Sequence, residues 1–283
     1  MRRYSAALGL ALAFAAIASA EPAGGLQFRS SPAASAEPAG GLELRSSPAV
    51  SDSARGWRPA VRAARAYASR RTGFTSFALR TPRRLYGYQG RTPTMSASVV
   101  KAMLMVAYLN HRGVRERKLN GGDRALIGPM IRRSDNRAAS QVRNFVGNGA
   151  LVRLARRVGM REFVPNLTWG ATLISARDQT KLFLNIDRFV VRRHREYAMG
   201  LLGSIVSYQR WGIATVRPPG WALYFKGGWV RGIENQVGLL RRGKRRVAVA
   251  VFTSGQGAAY GRETERVVAR RLLRGLREDS IPR

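Results

Sequence analysis

Ser98 and Lys101 lie three residues apart, so on a helix they share a face. Lys101 is also the only charge between Ala97 and Asn110. An ammonium buried in such a stretch without a partner is costly or sheds its proton. A neutral amine can then take the proton of a serine hydroxyl. Arginine could not, because it stays protonated at any workable pH. Only five of the 50 basic residues are lysine, and a second one, Lys226, opens Lys226-Gly227-Gly228. Ser134-Asp135-Asn136 offers a further hydroxyl and a side-chain amide. Each motif alone has an ordinary explanation: a lysine snorkelling from a helix, a helix N-cap, a strand ending in a glycine bulge.

The elements that must position these residues follow from periodicity and punctuation. Pro59–Ser69 reads as a basic amphipathic helix closed by Gly73, and Phe74–Arg80 and Leu85–Gln89 as a strand pair turned at Thr81-Pro82. Ala97–Asn110 is apolar on nearly all sides, which predicts a helix buried in the core. Shorter helices are predicted over 123–132, 137–146, 149–158, 176–190 and 194–208, with glycines and Pro165 between or beside them. Trp221–Phe225, Gln236–Leu240 and Arg246–Thr253 are strand-like, the last two joined by Arg241-Arg242-Gly243-Lys244. Glu263–Leu276 closes the chain as an amphipathic helix. Strands at both ends with helices between them predict an α+β sandwich whose outer segments share one antiparallel sheet.

Taken in order, the three motifs form a constellation: serine and lysine on a buried helix, Ser-x-Asn on an interhelical loop, Lys-x-Gly on a late strand. The chain thereby resembles the penicillin-recognising serine enzymes, the class A β-lactamases and the D,D-peptidases or penicillin-binding proteins. Pro93-Thr94-Met95-Ser96-Ala97 and Asp135-Asn136-Arg137-Ala138-Ala139 agree with it, and the likeness spans about residues 57–278. The resemblance implies an antiparallel sheet flanked by helices plus a mostly helical subdomain. It implies Ser98 as the acylated nucleophile, Lys101 as its base, and Ser134 as the relay to the leaving nitrogen with electrostatic help from Lys226. Asn136 would hold the substrate's amide carbonyl and Lys226 its carboxylate, while Asp135 would tie the loop together. The oxyanion hole would be the backbone N–H groups of Ser98 and Trp229, with Gly227 and Gly228 letting the strand approach the substrate. The implied substrates are β-lactams or the D-Ala-D-Ala ends of peptidoglycan stem peptides, with no cofactor; the alternative from a different class is a weakly active or inactive cell-wall-binding homologue.

Three departures stand out. Ser134 follows Ser98 by only 36 residues, which shortens one wall of the cleft. Gly227 stands where the family has Thr or Ser, removing a hydroxyl that would contact the substrate carboxylate. Gly170 follows Trp169 where class A enzymes carry the glutamate that positions deacylating water. Between Asn136 and Lys226 the only acids are Glu162, Asp178, Asp187 and Glu196. Asp178 reads as the partner of Ser175 in a capping box, and Glu162 is the remaining substitute. Acylation should therefore survive while hydrolysis of a β-lactam acyl-enzyme is slow.

Composition narrows the setting. Arg2 and Arg3, an apolar run over Ala6–Ile17 and Ala18-Ser19-Ala20 before Glu21 form a secretory signal pattern, cleaved after Ala20 and too short to span a bilayer comfortably. A cell-envelope or secreted monomer is expected. Residues 21–56 hold a duplicated sixteen-residue unit, EPAGGLQFRSSPAASA then EPAGGLELRSSPAVSD, whose composition reads as a flexible spacer before a domain over 57–283. There is no cysteine, so no disulfide or thiol chemistry, and the two histidines, His111 and His194, lack metal-ligand spacing and read as helix-end or surface residues. The net charge of +34 favours an anionic partner, for which an acidic wall polymer fits better than nucleic acid: the arginines are scattered and no nucleic-acid motif accompanies them.

Overall fold

The structure, a computed structural model, describes residues 57–276. The predicted leader and duplicated spacer, and residues 277–283, lie outside the described residues.

The chain enters through helix α1 (Val61–Ala68) and the antiparallel pair β1 (Phe74–Arg80) and β2 (Leu85–Tyr88). A two-residue strand β3 (Thr94–Met95) leads into a 3-10 turn over Ala97–Val100, which runs directly into α2 (Lys101–Leu109). Short α3 (Arg112–Arg115), α4 (Gly121–Arg132) and α5 (Asn136–Val158) follow. Strand β4 (Leu173–Ile174) pairs with β3, and α6 (Ala176–Leu184), α7 (Ile186–Phe189) and α8 (Arg195–Gly203) complete the helical region. Strands β5 (Ala222–Val230), β6 (Ile233–Arg242) and β7 (Arg245–Ser254) and helix α9 (Ala258–Leu273) end the fold.

The main sheet has the order β2-β1-β7-β6-β5, antiparallel throughout, so the two ends of the domain meet where β1 pairs with β7 (Phe77 opposite Val251). Val247–Thr253 is buried at seven consecutive positions. A strand without alternation is covered on both faces, and α9 and α6 each pack against β1, β6 and β7. Every residue of α2 is buried, which explains why its sequence shows no polar stripe.

Some boundaries differ from the sequence reading. The two helices predicted over 137–146 and 149–158 form one element broken at Gly147, whose φ of 70° and ψ of 165° are non-helical. The predicted 176–190 helix divides at Asn185, and that over 194–208 stops at Gly203, beyond which the Val206 N–H bonds to the Arg132 carbonyl. Strand β5 continues through Lys226-Gly227-Gly228 with nine registered partners on β6, so the motif is neither a strand exit nor a bulge. His194 is 2% exposed and donates to the Val114 carbonyl at 3.2 Å, so it is a core residue. His111 does cap a helix, accepting from Gly113 N.

One buried carboxyl group sits between α9 and the sheet. Glu265 is fully buried, and neither of its oxygens meets hydrogen-bond geometry with a partner among the described residues. Burial first and Glu234 second raise its pKa well above the usual carboxylate range. The unfolded chain releases this proton near pH 4.3, whereas the folded chain keeps it, so the group subtracts stability increasingly as pH rises above that point. Glu265→Gln is therefore expected to gain in unfolding midpoint relative to wild type between pH 5 and pH 8. A variant-minus-wild-type difference that stays constant over that range would show that this carboxyl does not titrate there.

Candidate active site

The segment before α2 is held in a tight, strained turn. Ala97 has φ of 43°, a region that non-glycine residues seldom enter. The turn is fixed from three sides: Ser96 N donates to the Thr172 carbonyl at 2.8 Å, Asn235 Nδ2 of β6 to the Met95 carbonyl at 2.8 Å, and Ser96 Oγ to the Gly170 carbonyl at 3.2 Å. Ser98 then occupies the 3-10 turn, 8% exposed. In a 3-10 helix residues i and i+3 eclipse one another, so Lys101 falls on the same side one turn later.

The interhelical turn presents Ser134. The N–H groups of Arg133 and Asp135 both bond to the Pro129 carbonyl, and the Asp135 carboxylate caps α5 by accepting from Ala138 N at 2.7 Å. Asp135 is thus the N-cap of α5, the ordinary reading of this motif. Between these anchors Ser134 is forced to a φ of 60°. Backbone strain of this kind persists only where the surroundings over-determine it. Its result is that the carbonyl and hydroxyl of Ser134 both face Lys101 Nζ, the hydroxyl at 3.2 Å, while Asn136 Oδ1 accepts from the same nitrogen at 2.7 Å.

From the sheet, Lys226 Nζ donates to Ser134 Oγ at 3.1 Å and to the Gly227 carbonyl at 2.7 Å. Strand β5 is one edge of the sheet, so its outer backbone groups have no strand partner among the described residues, and it packs against the Ala97–Val100 turn. A Cβ on Gly228 would come within 2.6 Å of both Ser98 N and Val99 N and 2.8 Å of the Ser96 carbonyl. Only glycine allows this approach. Gly228→Ala must displace backbone, and a displacement of about 1 Å is worth about 10² in rate; acylation is expected to slow by that order. A Cβ on Gly227 makes only ordinary contacts, with Gln236 side-chain atoms at 3.7 and 3.8 Å and the Asn235 carbonyl at 3.9 Å, so Gly227→Ala is expected to acylate nearly as wild type. Rate constants for a fluorescent penicillin decide it, and equal rates in the two variants would contradict this packing.

The electrostatics are those of two amines buried side by side. Lys101 and Lys226 are both fully buried. Burial brings the Lys101 pKa down to about 7, against an opposing pull from Asp135. Burial, and then the charge of Lys101, hold Lys226 well below the normal lysine range. A neutral amine is therefore available near neutrality, hydrogen-bonded to a serine hydroxyl.

Where an acid would be sought beside Lys101, an indole stands. Lys101 Nζ lies 4.8 Å from the centroid of Trp169, whose N–H donates to Ser140 Oγ at 3.1 Å. Ser140 is four residues after Asn136 and so on the same face of α5, a spacing legible in the sequence but not singled out. Glu162 is engaged elsewhere, accepting from Ser175 Oγ at 3.1 Å beside Asp178. The predicted capping box at Ser175 is half formed. Ser175 Oγ accepts from Asp178 N, but the Asp178 carboxylate turns to the N–H groups of Arg161 and Glu162.

Of the residues singled out in the sequence, Lys101, Ser134, Asn136 and Lys226 form one hydrogen-bonded cluster, and Ser98 and Gly228 meet at its edge. No hydrogen bond joins Ser98 Oγ to Lys101 Nζ, because the amine is directed to Ser134 and Asn136. Half-buried Trp229 continues β5 opposite Glu234, and its ring meets Trp211 edge-on at 5.0 Å. Asn235, Ser96 and Trp169 also hold the site, through contacts that carry no local signal because the partners are distant in sequence.

A protein-family model described as the Beta-lactamase enzyme family matches residues 124–275, a span that includes Ser134, Asn136 and Lys226. No curated protein sequence matches significantly. Among solved structures, a beta-lactamase from Sphaerobacter thermophilus DSM 20745 superposes with a TM-score of 0.67 at 21% identity, covering 77% of this chain and 98% of that one. A class A beta-lactamase from Mycobacterium abscessus gives 0.64 at 16%, covering 77% and 99%. A PBP-A mutant in an acyl-enzyme complex with penicillin-G gives 0.65 at 16%, covering 77% and 96%. At these identities the structural likeness shows a shared fold.

Proposed function

Since the chain belongs to the beta-lactamase enzyme family, we propose that it is an exported serine hydrolase that forms an acyl-enzyme at Ser98 with β-lactams and releases the product slowly. The observation that carries this reading is the hydrogen-bonded cluster in which buried Lys101, one turn of chain from Ser98, joins buried Ser134 and Lys226 and exposed Asn136. Rotation of its terminal torsions carries neutral Lys101 from Ser134 to Ser98. There it takes the hydroxyl proton as Oγ attacks the lactam carbonyl. The backbone N–H groups of Ser98 and Trp229 receive the oxyanion, a term worth about 10²–10³ in rate per donor. Ser134 passes a proton to the leaving nitrogen. Asn136, whose carbonyl oxygen is taken by Lys101, turns its N–H groups to the substrate amide. A bound carboxylate favours the charged form of Lys226, so that lysine acquires its charge where the substrate needs it.

Slow release follows from Trp169 over Lys101 and from Glu162 being tied to Ser175. A D,D-peptidase acting on peptidoglycan stem peptides is the second reading, favoured by the same lack of a water-activating acid at Lys101. A pulse of fluorescent penicillin followed by an unlabelled chase tests the proposal. Label that persists through the chase is expected. Rapid loss of label would contradict slow deacylation, and no label at all would end the enzyme reading.

A further inference from the structure

Four of the seven residues 112–118 and four of the eight residues 188–195 are Arg or Lys, against 50 in 283 for the chain. Folding brings these two stretches together. His194 bonds to the Val114 carbonyl, and Arg193 to the carbonyl of Glu116. Between them opens a cavity of about 450 Å³ lined by Arg115, Glu116, Val191, Arg192 and Arg193. Strand β7 reaches the segment just before the second stretch, where Arg246 bonds to the Leu184 carbonyl and pairs with Asp187, and five of residues 241–246 are basic. Of the acids nearby, Glu116 pairs with Arg115, Asp123 with Arg117 and Asp187 with Arg246, and exposed Glu196 follows the second stretch. This pole lies beyond the C-terminal end of α2, roughly 14 Å of helix away from Lys101.

We propose that this basic pole binds a flexible polymer of phosphate-linked repeats that carries no bases. Arginine forks match phosphate oxygens two at a time. The cations are exposed, so each contact with a free ion is weak, whereas a polyanion releases counterions at every phosphate it aligns. The large apolar side chains exposed among the described residues lie outside these stretches. One of them, Phe145, meets the His111 ring at a tilt at the margin, too little for membrane insertion or for stacking bases along a strand. Binding there would fix the enzyme to an anionic matrix and leave the catalytic end of α2 free. The inference does not depend on the proposed reaction.

Inorganic polyphosphate is the probe, followed by anisotropy across a salt series. A variant with R112Q, R115Q, R192Q and R193Q is compared with one carrying R62Q, R70Q, R83Q and R84Q, an equal change in net charge at exposed arginines elsewhere. The first is expected to bind about tenfold or more weakly and to lower the slope of log K against log salt by about 3, while the second keeps both nearly unchanged. Unaltered thermal unfolding shows that both fold. Equal losses in the two variants would reduce the effect to overall charge and overturn the proposal. So would displacement of polyphosphate by orthophosphate at equal phosphate concentration, or tighter binding of a single-stranded oligonucleotide through the same four arginines.

Discussion

Methionine at position 101 is expected to slow acylation by about 10³-fold, within the range a positioned general base supplies. Lys101→Met keeps a long unbranched side chain in a fully buried place but removes the amine proposed to accept the Ser98 proton. Lys101→Arg is expected to do no better, because a guanidinium keeps its proton. The wild-type pH profile carries the same information. With a pKa brought by burial to about 7, Lys101 is increasingly protonated as pH falls below that value. Acylation should then decline about tenfold per pH unit, reaching about a hundredfold below its plateau at pH 5. A Lys101→Arg variant that acylated at the wild-type rate, or a wild-type rate flat from pH 8 to pH 5, would remove Lys101 from the role of base and leave Ser98 standing.

Ser98→Ala is expected to abolish covalent labelling by penicillin altogether, with no change in folding. The Ser98 hydroxyl makes no hydrogen bond within the described residues and lies at the surface of the cleft, 8% exposed. Its loss should therefore alter stability by less than about 1 kcal/mol. A loss of label with intact unfolding assigns the defect to chemistry. Residual label in a folded Ser98→Ala protein would mean that a different nucleophile is acylated.

Much of the scaffold was legible because it rests on local pattern. The β1–β2 pair, the β6–β7 hairpin with its Gly243-Lys244 turn, and the all-apolar helix holding Lys101 follow from short-range periodicity. Strand β5 was read too short because glycines weaken strand propensity, whereas nine pairings to β6 carry it through them. The clustering of Lys101, Ser134 and Lys226 was expected only from the order of the three motifs; no spacing rule places residues 92 apart within 3.1 Å. The positive φ at Ser134 and Ala97, the Asn235 tie to Met95 and the indole over Lys101 were not legible. Each arises where distant segments over-determine a residue, and no local preference announces it.

Tryptic mapping of the penicillin adduct addresses the nucleophile itself. Cleavage after Arg91 and Lys101 releases the peptide Thr92–Lys101, which contains two serines, Ser96 and Ser98. Ser96 is fully buried, with its hydroxyl donating to the Gly170 carbonyl. Fragmentation is expected to place the adduct on Ser98. An adduct on Ser96, or on any residue outside this peptide, would contradict the proposed chemistry.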